Sequence, residues 1–310
     1  MFNIFSAIEN SITAKPIVKT DRIPTHMPSR SMCYSTVDGK PIGHCLRSAF
    51  FSVNKYPTTN ATSSYVVMTA EAGKLWEAWL IDQYKRLGIY ISHSNKLYDP
   101  SNFISGELDI VHYNPETDAV EITECKQYNG SNYYAAMELR GSRTAKPKPK
   151  DQHLLQTFLY LIMCKSTKLD IHFANLVYID RSCGAFNNNV QFRISLEEYN
   201  GNIHPKIEYL NNTKDIEYYT DYRITEKAIL AKNTLLDHHV DTDKIPGRDY
   251  QYSYSPHVIE DMYTKKELSD SRYKKYKENP AKNPIGDWQC KFCPYGPSLN
   301  GDSTCYNMKD

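Results

Sequence analysis

The chain of 310 residues carries 37 Lys and Arg against 36 Asp and Glu, a formal charge of +1, with 40% hydrophobic and 24% charged residues. This balance excludes disordered, collagenous and coiled-coil classes, and it leaves any attraction to a polyanion to local clusters of cations. The length suits two domains, or one elaborated α/β domain with an appended lobe.

In chain order, the first twenty residues are interrupted by Glu9 and Asn10 before an apolar run of signal-peptide length forms, so no secretory signal is expected. No stretch reaches the roughly 18 apolar residues of a membrane span, and the expected compartment is cytosolic. Residues 1–43 mix Pro, Ser, Thr and Lys without periodicity and read as an irregular arm. Residues 69–87 place Leu75, Trp76, Trp79, Leu80 and Gln83 at helical spacings, with Gly88 as the stop. Over 106–126, two runs rich in Val, Ile and Leu flank the turn signal Asn114-Pro115-Glu116-Thr117-Asp118 and predict a β-hairpin. A short helix over 132–140 ends at Gly141, before a basic loop that holds Lys146, Lys148 and Lys150. Residues 151–165 form a second helix, apolar over most of its surface, with Asp151 as N-cap or first-turn acid. Strands are expected at 171–179 and 190–194 and a helix over 225–238, after which a Lys- and Tyr-rich stretch leads to Cys290, Cys293 and Cys305.

A hairpin paired symmetrically about a turn between Glu116 and Thr117 sets Asp109 opposite Glu124, and Glu107 opposite Lys126. Period-two alternation then gives these four one face, and Leu108, Ile110 and Cys125 the other. Opposed carboxylates repel unless a positive group lies between them, and a divalent cation is the natural one. Hard carboxylate oxygens holding Mg²⁺ or Mn²⁺ beside a lysine suit phosphodiester hydrolysis. A solvated charged face has the same spacing, so the pattern alone leaves both open. On the second helix, His153, Gln156 and Tyr160 form a polar stripe that needs partners, with His153 read by itself as a satisfied core residue. Cys290-Lys291-Phe292-Cys293-Pro294 and Cys305 gather three soft ligands that lack a fourth.

Asp109, Glu124-Cys125-Lys126 and the Gln156-x-x-x-Tyr160 run together resemble the PD-(D/E)XK nuclease superfamily, in its RecB-like and Cas4-like iron-sulfur exonuclease branch. The resemblance runs from about Cys45 to Cys305. It implies a restriction-endonuclease-like α/β core, a central mixed β-sheet flanked by helices, with an iron-sulfur lobe formed by the N- and C-terminal parts. The implied domains are an arm at 1–43, a nuclease core at 44–280 and a cysteine segment at 281–310 that completes the lobe with Cys45. Gly73-x-x-x-Glu77 resembles the family's first motif, so Glu77, Asp109, Glu124 and the Cys125 carbonyl would hold Mg²⁺ or Mn²⁺; Glu71 competes with Glu77, and Glu107 is a weaker neighbour. Lys126 would place the attacking water, and Gln156 and Tyr160 the DNA. Cys45, Cys290, Cys293 and Cys305 would bind a structural 4Fe-4S cluster, with zinc as alternative metal and Cys33 as substitute ligand. Cys125, Cys164 and Cys183 are read as reduced thiols.

The implied activity is cleavage of single-stranded DNA from the 5′ end, with endonuclease activity as an open addition. The implied setting is the cytoplasm of a bacterial or phage-infected cell, with recombination, helicase or integrase-like proteins as partners, no membrane, and oligomerisation left open. Some of the 25 tyrosines would stack bases, and Lys146, Lys148, Lys150 and residues 272–277 would track phosphates. The competing class is a non-catalytic iron-sulfur or zinc subunit that binds DNA or assembles a recombination or CRISPR-adaptation-like complex.

Overall fold

The structure, a computed structural model, describes residues 30–60, 64–102, 104–128, 148–181, 190–210, 216–297 and 303–308. The helix expected at 132–140, Lys146 and Cys183 lie outside the described residues. In chain order the elements begin with β1 (Met32–Tyr34), β2 (Pro41–Gly43), α1 (Leu46–Val53), α2 (Ser64–Arg86), β3 (Tyr90–Asp99), β4 (Ile104–Asn114) and β5 (Ala119–Tyr128). Next come α3 (Asp151–Ser166), β6 (Phe173–Asp180), β7 (Val190–Tyr199), β8 (Asn202–Leu210), β9 (Ile216–Thr220) and α4 (Glu226–Asp241). The chain continues with α5 (Pro256–Thr264), α6 (Asp270–Glu278), α7 (Trp288–Lys291) and α8 (Thr304–Asn307).

By its internal contacts the chain divides into two compact units: Met1–Gly43 with Ser63–Asn233, and His44–Thr62 with Thr234–Asp310. This differs from the expected 44–280 core, because 44–62 and 234–280 belong with the cysteine segment at 281–310. Nor are residues 30–43 an irregular arm. They form the β1–β2 hairpin of the first unit, turned at Gly39 (φ +68°), and Cys33 and Ile42 enter its core.

The first unit is built on a seven-stranded sheet of order β3-β4-β5-β6-β7-β8-β9, antiparallel except for the parallel β5–β6 pair. Helices α2 and α3 flank it, giving an α/β architecture with a mixed central sheet. Helix α3 is buried nearly all round, as its sequence demands: Leu155, Phe158, Leu161, Met163 and Cys164 are inaccessible and join the sheet in the main core. Its N-cap is Lys150, which makes Asp151 the first-turn acid, clamped by both terminal nitrogens of Arg223 at 2.6 and 3.2 Å. Helix α2 starts before the expected 69 and closes beyond Lys85 and Arg86 with Gly88 at φ +71° and the Ile89 N–H bonded to the Tyr84 carbonyl. Leu80 and Ile81 on it cover a second cluster with Ile110 and Ile179.

The β4–β5 register pairs Ile110 with Thr123 and Asn114 with Ala119, the symmetric alignment read from the turn. One expected face is overturned. Leu108 enters the core shared with α3 while Ile110 enters the cluster under α2, so strict alternation breaks at Asp109, which has no ladder partner on either side. Ser94 faces that gap across the sheet at φ +52°. Strands β3, β8 and β9 carry too many polar residues to announce themselves, and β7 runs to Tyr199, past the expected 194.

In the second unit, α5 and α6 enclose a small core of Ile259, Leu268, Tyr276 and Ile285. Among the described residues no helix is long and apolar enough to cross a membrane.

Candidate active site

Strand β5 aims Glu124 and Lys126 at α3, while Thr123 on the opposite face meets Tyr84 of α2 at 3.1 Å. Where the β4–β5 ladder stops, the Asp109 carboxylate takes over from a strand carbonyl and accepts the Cys125 N–H at 2.8 Å. Lys126 Nζ donates to Glu124 Oε1 and to Gln156 Oε1, the latter at 3.2 Å, and Gln156 Nε2 donates to the Tyr160 hydroxyl at 2.9 Å. The ring of Tyr160 lies over Gly106, where a Cβ would stand 2.5 Å from a ring carbon. Glycine is what allows this approach. The structure therefore joins Glu124, Lys126, Gln156 and Tyr160 into one chain of hydrogen bonds, with Asp109 on the adjoining strand.

Asp109, Cys125, Lys126 and His153 line a cleft of about 490 Å³ whose other wall is α2, at Thr69, Gly73, Lys74 and Glu77. Burial, and next the Glu124 carboxylate, hold the Asp109 acid well above its ordinary value, against the pull of Lys126 and the Cys125 N–H. Burial raises Glu77 too, helped by Glu124 and Glu107 and opposed by His93 and Lys126. Burial also disfavours the Lys126 ammonium, but Glu124 and Asp109 outweigh it and its pKa ends raised. Glu71, the competitor of Glu77, pairs with Lys74 at 3.1 Å on the exposed side of α2. Glu107 stands opposite Lys96 in the β3–β4 ladder.

Among the described residues no group of three or more His, Cys, Asp or Glu is drawn tightly enough to enclose an ion. The donor chemistry nonetheless fits a hard divalent cation. Glu124 is 2% exposed and its Oε2 is buried without a hydrogen-bond partner, while Asp109 and Glu77 are both disfavoured as anions by their neighbours.

The sequence reading missed Gln127. It donates from Nε2 to the Thr69 carbonyl, tying β5 to α2, and its buried Oε1 has no partner. Its signal was its place two residues beyond Cys125, on the same face of the strand. Lys148 and Lys150 are exposed beside the start of α3.

Cys45, Cys290, Cys293 and Cys305 all belong to the second unit. Cys45 is the N-cap of α1, and the Cys290 thiol feels Cys45, Cys293 and Cys305 as charged neighbours. Burial, then these thiols, push Cys290 up to about 12, and Cys45, Cys293 and Cys305 are raised chiefly by burial. The Cys293 N–H bonds to the Cys290 carbonyl, the Cys305 N–H to the Tyr295 carbonyl, and Cys293 Sγ lies 3.6 Å from Ser48 Oγ. Thiol donors are the chemistry that a soft metal takes, iron-sulfur or zinc alike, and the Cys290 thiolate is disfavoured by the other three. Cys33, the substitute, is instead buried in the first unit near Lys232 and Asp151. The stacking surface expected of the tyrosines is partly self-occupied: Tyr263 and Tyr273 stack on each other at 3.9 Å and 5°.

No protein-family model matches the chain, and no curated protein matches it.

Proposed function

We propose that the chain is a metal-dependent deoxyribonuclease of the PD-(D/E)XK kind, acting on single-stranded DNA and favouring exonucleolytic cutting from the 5′ end. The observation that carries this reading is the pairing of a buried, half-satisfied Glu124 carboxylate with Lys126, which itself lines an open cleft with Asp109 and Glu77. A bare structural ion pair would leave no carboxylate oxygen unpaired. A Mg²⁺ or Mn²⁺ ion held by Glu77, Asp109, Glu124 and the Cys125 carbonyl would polarise the phosphate and acidify water. Lys126, its charge maintained by Glu124 and Asp109, orients the attacking water through its free N–H. Gln156 fixes the Lys126 rotamer and Tyr160 fixes Gln156, so the lysine meets substrate without reorganising. Cys45, Cys290, Cys293 and Cys305 take a 4Fe-4S cluster or zinc with a structural role. The partners that suit this activity are recombination, helicase or integrase-like proteins.

The test is Mn²⁺-dependent degradation of end-labelled linear single-stranded DNA by the intact protein and by Asp109→Ala, expected to lower the rate roughly a thousandfold. Circular DNA in parallel separates end-dependent from internal cutting. If the metal-loaded protein binds DNA yet cuts neither form, a DNA-binding or assembly subunit replaces the nuclease.

A further inference from the structure

His153 lines the cleft with Lys126 and has no part in the reaction as proposed. Its Nδ1 lies 2.9 Å from the Tyr178 hydroxyl, which lies 3.1 Å from the backbone nitrogen of Lys150. A backbone N–H can only donate, so the phenol oxygen accepts from Lys150 and keeps its single proton for His153. Nδ1 is therefore the acceptor and carries no proton. Tyr178 is 1% exposed, and burial raises its pKa, so the phenol remains a donor. Burial, with Lys126 and Lys150 adding to it, holds the imidazole well below its ordinary 6.5 and keeps the ring neutral. A neutral ring that accepts at Nδ1 bears its proton on Nε2. Nε2 makes no hydrogen bond among the described residues.

As held, the ring has one nitrogen engaged and one protonated, which bars it from ligating a metal and makes it a fixed neutral donor. The backbone of a DNA strand offers acceptors at every phosphate, and Lys126 already draws anionic oxygen into this cleft. We propose that the His153 Nε2–H binds a non-bridging phosphate oxygen of the strand in the cleft, and that Tyr178 is the positioning residue that sets the tautomer. This assignment rests on the nuclease reading and adds to it a substrate-binding residue that acts beside the metal site.

The experiment measures binding of a labelled single-stranded oligonucleotide with Ca²⁺ in place of Mg²⁺ or Mn²⁺, then steady-state cleavage with Mn²⁺, for the intact protein, His153→Ala, His153→Gln and Tyr178→Phe. Loss of one hydrogen bond to a charged group predicts that His153→Ala weakens binding and raises KM by about tenfold or more, with kcat within about twofold. The Gln amide nitrogen reaches nearly to the place of Nε2, so His153→Gln recovers most of the loss. Tyr178→Phe frees the tautomer and lies between. A His153→Ala protein that binds and turns over like the intact one overturns the assignment. So does a loss that tracks thermal stability and is not recovered by Gln, since that is the behaviour of a core histidine. If the intact protein neither binds nor cuts DNA, the nuclease reading itself has failed, and the assignment falls with it.

Discussion

Glu124 and Lys126 sit on a strand that pairs antiparallel with β4 up to Thr123 and parallel with β6 from Glu121 to Tyr128, so the pleat sets where each side chain points before any ligand arrives. The cysteines of the second unit have no such frame. Cys290 lies in the four-residue α7, none of whose residues is buried, Cys305 in the four-residue α8, and Cys45 ahead of α1. They are held by single backbone bonds and by the close passage of Gly296, where a Cβ would stand 2.7 Å from the Cys290 carbonyl. On the proposed function, the difference separates two kinds of site: one that scaffold geometry preorganises, and one whose surroundings would need the ligand to become stable.

The sharpest way to break that comparison is Cys290→Ser. With three thiols left, the second unit should lose the metal proposed for it and melt about 10 °C lower or more, read by elemental analysis and calorimetry. Unchanged metal content and melting would mean that packing alone sustains this unit.

A smaller effect belongs to the cleft. The Asp109 and Glu77 acids are raised in the folded protein, so the metal-free first unit is favoured at low pH, where they are protonated. It loses that stability as pH climbs from their ordinary values of 3.8 and 4.5 through the raised ones. In chelator, melting should fall with rising pH, by about 6 °C in all, and Mn²⁺ should restore it. Asp109→Asn should flatten the slope, and a slope that survives it assigns the repulsion elsewhere. Gly106→Ala tests the scaffold by steric means. A methyl 2.5 Å from the Tyr160 ring should cost about 2 kcal/mol and displace the phenol from Gln156. Denaturant unfolding measures the first effect, and ring chemical shifts the second. The smallest change is Tyr160→Phe, which removes one hydroxyl from the chain leading to Lys126 and should cost about 1 kcal/mol and a few-fold in rate.

Much of the cleft could be read in the sequence because its information is local. The turn at 114–118 fixes the β4–β5 register, and one helical turn fixes Gln156 against Tyr160. What escaped depends on residues far apart in the chain. That Leu108 and Ile110 enter different clusters reflects the break at Asp109, which a strict period of two cannot express. The β3 edge reads Ser92-His93-Ser94-Asn95, and a strand with so polar a run lacks the apolar alternation that marks one. Tyr178 comes to His153 only because β6 pairs beside β5 and under α3. The hairpin at 32–43 is three residues to a strand, too short for periodicity to register.

One property of the sheet bears on how the cleft comes into being. Every neighbouring pair of strands is also consecutive in the chain, and β5–β6 alone runs parallel, so the sheet is two meanders, β3–β5 and β6–β9, zipped along a single seam. Each meander draws on nearby contacts, whereas the seam must wait for the ends of a connection from Tyr128 to Phe173 to meet. Until then β5 is an edge strand, and the helix bearing Gln156 has only half a floor. Ion binding at the carboxylates would thus report, in a refolding experiment, the moment at which the two meanders close.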